Sequence, residues 1–227
     1  MNTHVFRSAL VFLSSAGASA TLLAQSTPPA NNAEIEAAYT MAIEKRTDAI
    51  LQDLALNDSA KQARLHDVIT NQYRNLRARD AAIEAKLKAA GKDASAKVER
   101  AGLMQEMSKP LHDQFISKLS SDLTPEQLEK VKDKMTYNKV KVTYDAYCDI
   151  VPNLSDSDKA KIMELLKAAR DEAIDGGSAD EKSAIFQKYK DQINDYLNAH
   201  GHDVAKAYAD WNAKQAKPGA GQSDAAR

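Results

Sequence analysis

The sequence has little that would hold a fold together other than an apolar core. One cysteine, Cys148, stands among 227 residues, so no disulfide can form within the chain. The 32 acidic and 31 basic residues are intermixed, which leaves no charge excess that would favour nucleic acid or another polyanion. We therefore expect a domain without a nucleic acid partner. Cys148 should be buried as a small apolar residue, with pairing between chains as the alternative.

Motifs of known catalytic and cofactor sites are absent as well. There is no G-x-S-x-G, no H-E-x-x-H, no P-loop and no G-x-G-x-x-G dinucleotide motif. His200 and His202 would face different directions on a helix, so their spacing does not suit a metal site. The sequence predicts no catalytic residue, no metal and no cofactor. An enzyme with an unrecognised carboxylate site stays open as an alternative, because Asp171, Glu172 and Asp175 lie close together in the chain.

The first 24 residues have the pattern of a secretory signal peptide. Arg7 supplies a positive charge, a short apolar run ends at Leu13, and small residues continue to Ala24. The apolar run is shorter than the roughly 20 residues of a membrane-spanning helix, and no later stretch approaches that length. We expect export to the periplasm or the medium, with cleavage near Ala24. Cleavage after Ala20 and a leader that stays attached are the alternatives.

Residues 34–217 are predicted to form an all-helical domain. Good helix formers dominate this part of the chain, and apolar residues recur at helical spacing. Residues 25–33 ahead of the domain are predicted to be a flexible linker, and residues 218–227 a disordered tail. Within the domain we expect two halves, which divide between residues 135 and 136.

Glycine and proline are scarce, with 8 and 6 residues, and they fall mostly where helices should stop. We expect six or seven helices from these stops. Residues 58–90 and 94–121 predict a long helical hairpin that reverses at Gly91, and Pro110 should kink or break its second helix. Thr124 should cap the next helix, before a compact C-terminal helical group.

One short segment departs from the helical pattern. Residues 136–143 are rich in β-branched residues that alternate with polar ones, and they predict a single irregular extended crossing between the two halves. Tyr137, Tyr144 and Tyr147 cluster around it. Tyrosine has a flat apolar face and a polar tip, which suits a binding groove and also suits packing at helix ends.

The C-terminal half also resembles a known family. The resemblance rests on residues 135–137, 142–147, 151–155, 168–173, 176–178, 181–182, 188–190 and 193–197. On these motifs the chain resembles a secreted bacterial family, the domain-of-unknown-function family 3826, from about Ala37 to Trp211. The resemblance implies an exported protein of bacteria that degrade polysaccharides, with a link to sugar binding and no established catalytic residue. Cys148 stands where the family pattern leads us to expect an aliphatic residue.

A second likeness lies in the segment from Leu123 to Gln127. Its letters, Leu-Thr-Pro-Glu-Gln, are similar to the Leu-Thr-x-x-Gln motif of small periplasmic helical chaperones. A helix-capping box produces the same letters for a purely structural reason. A periplasmic chaperone or stress protein is therefore the alternative function.

The tyrosines and the family resemblance together predict a site for an oligosaccharide. A sugar ring has an apolar C–H face that stacks on an aromatic plane, and its hydroxyls need polar partners. The predicted ligand-binding residues are Tyr137, Tyr144, Tyr147, Asn138, Lys139, Asp145 and, if the last helix folds back, Trp211. The sequence thus favours an exported, non-enzymatic accessory protein that binds carbohydrate in a polysaccharide-degrading system. It identifies neither the ligand nor the oligomeric state.

Overall fold

A computed structural model describes residues 31–91 and 96–216, and within these ranges the chain forms helices and no strand. The predicted all-α class is confirmed. The eight helices of the described residues are α1 Asn32–Leu54, α2 Ser59–Ala90, α3 Ala96–Asp122, α4 Pro125–Met135, α5 Lys139–Ile150, α6 Asp156–Ala173, α7 Ala179–Ala199 and α8 Val204–Gln215. The predicted signal peptide, most of the predicted linker and the tail lie outside the described residues.

Capping side chains set where several helices begin. Asp58 accepts hydrogen bonds from two backbone amides at the start of α2, while Thr124 and Ser155 form reciprocal capping boxes on α4 and α6. These side chains satisfy amides that have no partner in the first helical turn. Gly91, with a φ of 90°, follows the last residue of α2. The predicted helix start at residue 58, the predicted cap at Thr124 and the predicted stop at Gly91 are confirmed.

Two clusters of buried apolar side chains make up most of the core. One joins the α2–α3 hairpin to α1 and α4, with Leu65, Ile69 and Leu119 at its centre. The other cluster joins the four helices α5, α6, α7 and α8, around residues such as Leu166 and Ile193. The clusters meet near the predicted division at residues 135 and 136, although Ile174, at the end of α6, belongs to the first cluster. The division of this one domain into two halves stays a prediction.

Charged side chains connect the two clusters. Arg170 on α6 is 3% exposed, and its guanidinium donates to Asp133, at 2.9 Å, and to Glu129, both on α4. A buried guanidinium needs such partners because desolvation of an unpaired charge costs several kcal/mol, on the order of the stability of a whole domain. The contact between α4 and α6 is therefore ionic at this point.

The predicted extended crossing is wrong. Residues 136–138 form a tight turn in which Tyr137 and Asn138 have left-handed φ values of 59° and 54°, and α5 begins directly afterwards. Val140, Tyr147 and Ile150 lie on one buried face of α5, whereas Val142 is 64% exposed. The spacing of the buried residues is helical, and their packing outweighs the strand preference of β-branched residues.

Pro110 lies inside α3 without ending it. The helix runs from Ala96 to Asp122, and the proline occupies an exposed position about midway along it. The proline removes one backbone hydrogen bond from α3, and the packing of α3 against α2 offsets this loss. The predicted hairpin is confirmed. Of the predicted kink or break at Pro110, the break is wrong and the kink stays a prediction. Among the described residues, no helix combines the length and the apolar character that crossing a membrane would need.

Candidate functional site

The structure places the predicted tyrosines in different surroundings. Tyr147 is 1% exposed, and its hydroxyl donates to Asn194 Oδ1 at 2.7 Å and to the Lys190 carbonyl at 3.2 Å. Burial raises the pKa of this hydroxyl. Tyr144 packs half-buried against the C-terminal core. Both rings therefore contribute to packing, as the alternative interpretation of the tyrosine cluster expects.

The remaining predicted ligand-binding residues do not gather around these rings. Tyr137, which is 43% exposed, and Asn138 lie on the turn before α5, and Lys139 is the first residue of that helix. Asp145 is exposed and accepts a hydrogen bond from Lys141 at 2.5 Å. Trp211, on α8, packs against the C-terminal core. The seven residues thus form no single pocket in this structure, and their binding role stays a prediction.

A cleft of about 890 Å³ opens instead between α3 and the α6–α7 pair. Two helical stripes face each other across it, because residues at spacings of three and four lie on one side of a helix. The lining residues are Ala101, Met104, Gln105 and Ser108 on α3, Glu172 on α6, Asp175 and Gly176 on the turn, and Glu181, Ala184, Ile185 and Lys188 on α7. The cleft offers apolar and hydrogen-bonding groups side by side.

The turn between α6 and α7 approaches α2 closely through two glycines. A Cβ atom added to Gly177 would lie 1.7 Å from Asp80 Oδ2, and one added to Gly176 would lie 2.9 Å from Lys182 Cγ. Contacts this short are not found between real atoms, so any larger residue at position 177 would displace the Asp80 carboxylate. The glycine pair therefore brings the turn against α2 in addition to ending α6.

Arg79 holds the turn from the α2 side. Its side chain is 1% exposed, and its Nη1 donates to the Asp175 carbonyl at 2.7 Å and to Ser108 Oγ at 2.8 Å. Its Nε and Nη2 donate to Asp80 Oδ1 at 3.0 and 2.7 Å. A guanidinium with partners on every side positions its neighbours and has little left to offer a ligand. Arg79 thus fixes α2, α3 and the turn in one arrangement.

Asp175 is held from a second side by His112 of α3. The His112 Nδ1 atom lies 2.8 Å from Asp175 Oδ2, and the hydrogen bond to this carboxylate raises the pKa of His112. The other carboxylate oxygen, Asp175 Oδ1, is buried and has no hydrogen-bond partner within the protein. Buried carboxylate oxygens are usually paired, so an unpaired acceptor beside the cleft is costly to the fold as it stands.

Lys182 closes the C-terminal end of α6. It is 3% exposed and donates to the carbonyls of Ala173 and Ile174 at 3.1 and 3.4 Å. The last carbonyls of a helix lack intrahelical partners, and a cation there also interacts favourably with the helix dipole. Burial lowers the pKa of Lys182 to about 8. Lys182 serves the turn rather than the cleft, which it does not line.

The outer part of the cleft carries a carboxylate with exposed partners. Glu172 accepts hydrogen bonds from Lys188 Nζ at 2.9 Å and from the Tyr189 hydroxyl at 2.9 Å. Burial, followed by the hydrogen bond to Glu172, raises the pKa of Tyr189 to about 12. These contacts lie near solvent, so a ligand hydroxyl can exchange with them at low cost.

Charges around the cleft nearly cancel. The carboxylates of Asp80, Glu172, Asp175 and Glu181 stand against the cations Arg79, Lys182 and Lys188, with His112 as a further cation when protonated. A balanced set of fixed charges favours a neutral polar ligand over an ion. Within the ranges that the structure describes, no group of three or more His, Cys, Asp or Glu side chains is arranged to hold a metal ion.

Sequence reasoning found parts of this site for other reasons. Glu172 and Asp175 are neighbouring carboxylates in the sequence, and Gly176 and Gly177 belong to one of the motifs of the family resemblance. Arg79 and His112 were not predicted to act together with them, because they lie 96 and 63 residues from Asp175 in the chain. The one local sign of the cleft in the sequence is that the cleft-facing positions of α3 and α7 carry mostly small and polar residues. A helix face that packs in the core would carry larger apolar side chains at these positions.

The chain belongs to the family described as protein of unknown function (DUF3826), whose profile matches residues 40–217. The match covers the whole cleft, and it confirms the resemblance noted from the sequence motifs. Residues of those motifs, among them Glu172, Gly176, Glu181 and Lys188, line the cleft. No curated protein sequence matches the chain significantly.

Proposed function

We propose that this member of the family is an exported, non-enzymatic accessory protein that binds a neutral saccharide in the cleft between α3 and α7. The observation that carries the proposal is Asp175 Oδ1, a buried carboxylate oxygen without a partner on a residue that lines the cleft. Oδ1 is closed to solvent in this structure, so a small rotation of the Asp175 side chain toward the cleft would let a saccharide hydroxyl donate to it and remove the cost of an unpaired buried acceptor. His112 holds the other oxygen of the same carboxylate, which keeps the side chain beside the cleft during that rotation.

Size and chemistry of the cleft support the proposal. Its volume of about 890 Å³ lies within the usual range of small-molecule sites, which is roughly 300–1,000 Å³. Met104 and Ile185 supply apolar surface for the C–H face of a sugar ring, while Gln105 and Lys188 supply donors near its hydroxyls. The balance of charge around the cleft favours a neutral sugar over a sugar acid.

Export is part of the same proposal. It rests on the charged start, short apolar run and small-residue exit of residues 1–24. N-terminal sequencing of protein recovered from the periplasm or the medium tests it, and we expect a mature start between Thr21 and Gln25. An intact Met1 on a cytoplasmic product would contradict export without affecting the cleft.

Calorimetric titration of the mature protein with neutral plant-wall oligosaccharides tests the binding site. Ala184 is exposed and lines the cleft, so Ala184→Phe should fill the cleft without disturbing the core. We expect this variant and Asp175→Asn to weaken binding about tenfold or more, the equivalent of about one charged hydrogen bond. Ser183→Phe is the matched control, because Ser183 is exposed on the same helix and does not line the cleft.

Two results would contradict the proposed function. One is the absence of any binding heat across a panel of glucans, xylans, mannans and galactans. The other is equal affinity of wild type, Ala184→Phe and Asp175→Asn, with melting temperatures showing that all three proteins are folded. In either case the unpartnered oxygen of Asp175 has another explanation.

A specific contact also favours an enzyme as the second candidate. A histidine held by a carboxylate is a common acid–base arrangement, and the His112–Asp175 pair lies beside the cleft. Reducing-end release from the oligosaccharides that bind would support this candidate, provided that it disappears in His112→Gln. For the chaperone alternative the structure adds no contact beyond the capping box of α4, which accounts for the letters of the Leu-Thr-x-x-Gln motif.

A further inference from the structure

A second depression lies at the other end of α6, where the α5–α6 turn meets α8. It consists of two adjoining cavities of about 330 and 130 Å³ that share Pro152, Ala207 and Asp210, and we call it the α8 groove. Its space arises because two turns converge beside a small residue. Asn153 and Gly201 have φ values of 58° and 90°, which direct both turns past Ala207.

A buried carboxylate fixes the histidine that lines this groove. Asp158 is 5% exposed, and its Oδ2 accepts from the Ser155 hydroxyl at 2.6 Å and the Ser155 amide at 2.9 Å. The same oxygen lies 3.2 Å from His202 Nε2. The Ser155 hydroxyl, then the Ser155 amide and His202, lower the pKa of Asp158 to about 2. Asp158 is therefore an anion near neutral pH, and His202 Nε2 must carry a proton to donate to it.

The tautomer of His202 determines what the groove offers a ligand. With the proton of neutral His202 on Nε2, the Nδ1 atom is an acceptor. The carboxylates of Asp149 and Asp210 add acceptors, and Lys206 and Lys214 add donors. Trp211 supplies an aromatic side chain in the smaller cavity, and Pro152 supplies apolar surface in both. An aromatic side chain beside acceptors and donors matches a pyranose ring, which has an apolar face and hydroxyls at its edge.

We propose that the α8 groove is a second saccharide subsite, separate from the cleft between α3 and α7. The two sites lie at opposite ends of α6, which has 18 residues and is therefore about 27 Å long. Two weak sites on one rigid domain bind a polymer more tightly than either site binds a short sugar, because the second contact is intramolecular. The ligand class rests on the proposed function, whereas the site itself rests on the geometry around Trp211 and His202.

Trp211 makes the subsite testable by itself, because it is the one tryptophan of the chain. Its emission reports the α8 groove and not the cleft. The experiment titrates the mature protein with cellohexaose, xylohexaose and mannohexaose, recording tryptophan emission and binding heat together. Ala184→Phe blocks the cleft, and Asp210→Arg blocks the groove at an exposed position, where the Asp210 carboxylate pairs with Lys206. Asp191→Arg, an exposed charge reversal on α7 outside both sites, is the control.

We expect a saturable change of Trp211 emission in the wild type, in Ala184→Phe and in Asp191→Arg. Asp210→Arg should need on the order of tenfold more sugar for the same change. Binding heat without an emission change would overturn the subsite and leave the cleft standing, as would equal emission titrations of wild type and Asp210→Arg. If the emission changes and Ala184→Phe leaves the binding heat unaffected, the result supports the subsite and overturns the cleft as a binding site. The absence of both signals would overturn both proposals.

Discussion

Two turns of this molecule, of three and five residues, differ in how far along the chain the partners of their polar groups lie. The α4–α5 turn, residues 136–138, uses partners a few residues away. Asn138 N donates to the Asp133 carbonyl at 2.8 Å, and Thr136 Oγ1 donates to the Lys132 carbonyl at 2.9 Å. The α6–α7 turn, residues 174–178, depends on Arg79 from α2 and His112 from α3.

The difference shows where a binding site can be built. A turn that satisfies itself locally is stable without its surroundings, and it leaves its side chains, such as Tyr137, in solvent. A turn that takes its partners from distant helices buries charged groups, and it keeps one carboxylate oxygen of Asp175 unpartnered. Buried polar groups are costly unless they are paired, so such an arrangement points to a ligand that completes the pairing. The predictions below test this contrast.

The largest effect is expected from Arg79→Ala. Removal of the guanidinium leaves the Asp80 carboxylate and the Asp175 carbonyl without their buried donor. We expect a loss of about 3–5 kcal/mol in the free energy of unfolding, measured by denaturant titration. Arg64→Ala is the control, because Arg64 pairs with Asp122 at the surface, where solvent screens an ion pair, and its loss of stability should be much smaller. Similar losses in the two variants would show that the α6–α7 turn does not depend on its distant partner.

Gly177→Ala should have the next largest effect. Its added methyl group would meet Asp80 Oδ2 at 1.7 Å, so the carboxylate or the turn has to move. We expect a loss of about 1–3 kcal/mol in thermal or denaturant unfolding. Gly102→Ala is a matched control, since Gly102 lies in α3 with no atom within 4 Å of an added Cβ. That variant should gain about 0.5–1 kcal/mol from helix propensity. Stabilisation by both substitutions would contradict the close approach of the turn to α2.

The contrast between local and distant partners also explains what the sequence allowed us to predict. Helix starts at Asp58, Thr124 and Ser155 depend on atoms two or three residues away, and all three are predictable. The partners of Arg79, in contrast, include Ser108 and Asp175, which lie 29 and 96 residues away. No local pattern contains that pairing, because it exists only after the helices have packed.

Helix α5 shows a different limit of sequence analysis. Its first residues alternate between lysine and valine, and that alternation is typical of a strand. The helical spacing of Val140, Tyr147 and Ile150 competes with it and is equally visible in the sequence. Which of the two patterns decides the structure depends on the core that α6 and α8 provide, and the segment alone does not contain it.

Thr124→Ala measures how much a purely local contact contributes to the free energy of unfolding. Thr124 Oγ1 accepts from the Gln127 amide at 3.3 Å, and the Gln127 side chain accepts from the Thr124 amide at 3.1 Å. Loss of this cap should cost about 1 kcal/mol, measured by thermal unfolding, and should leave saccharide affinity unchanged. A loss of holdase activity at unchanged stability would instead support the chaperone alternative.

The His112–Asp175 contact predicts a pH dependence of stability. The folded-state pKa of His112 is raised above its ordinary value of 6.5, first by the hydrogen bond to Asp175. Its contribution is therefore fully present below about pH 6.5 and is lost as the pH rises through the folded-state pKa. Denaturant unfolding from pH 5 to pH 9 should show this loss in the wild type and not in His112→Gln. Parallel pH profiles of the two proteins would exclude a linked protonation at this contact.

The smallest effect is expected from Tyr137→Ala, a substitution in the α4–α5 turn. Tyr137 is 43% exposed, and its φ of 59° costs an alanine about as much as a tyrosine, because both residues carry a Cβ atom. We expect a change of about 0.5 kcal/mol or less in unfolding, and the same calorimetric affinity for oligosaccharides as the wild type. A selective loss of affinity would support the tyrosine site predicted from the sequence. It would also show that a turn satisfied by its own backbone can bind a ligand through exposed side chains alone, so that an unpartnered buried group is not a necessary sign of a site.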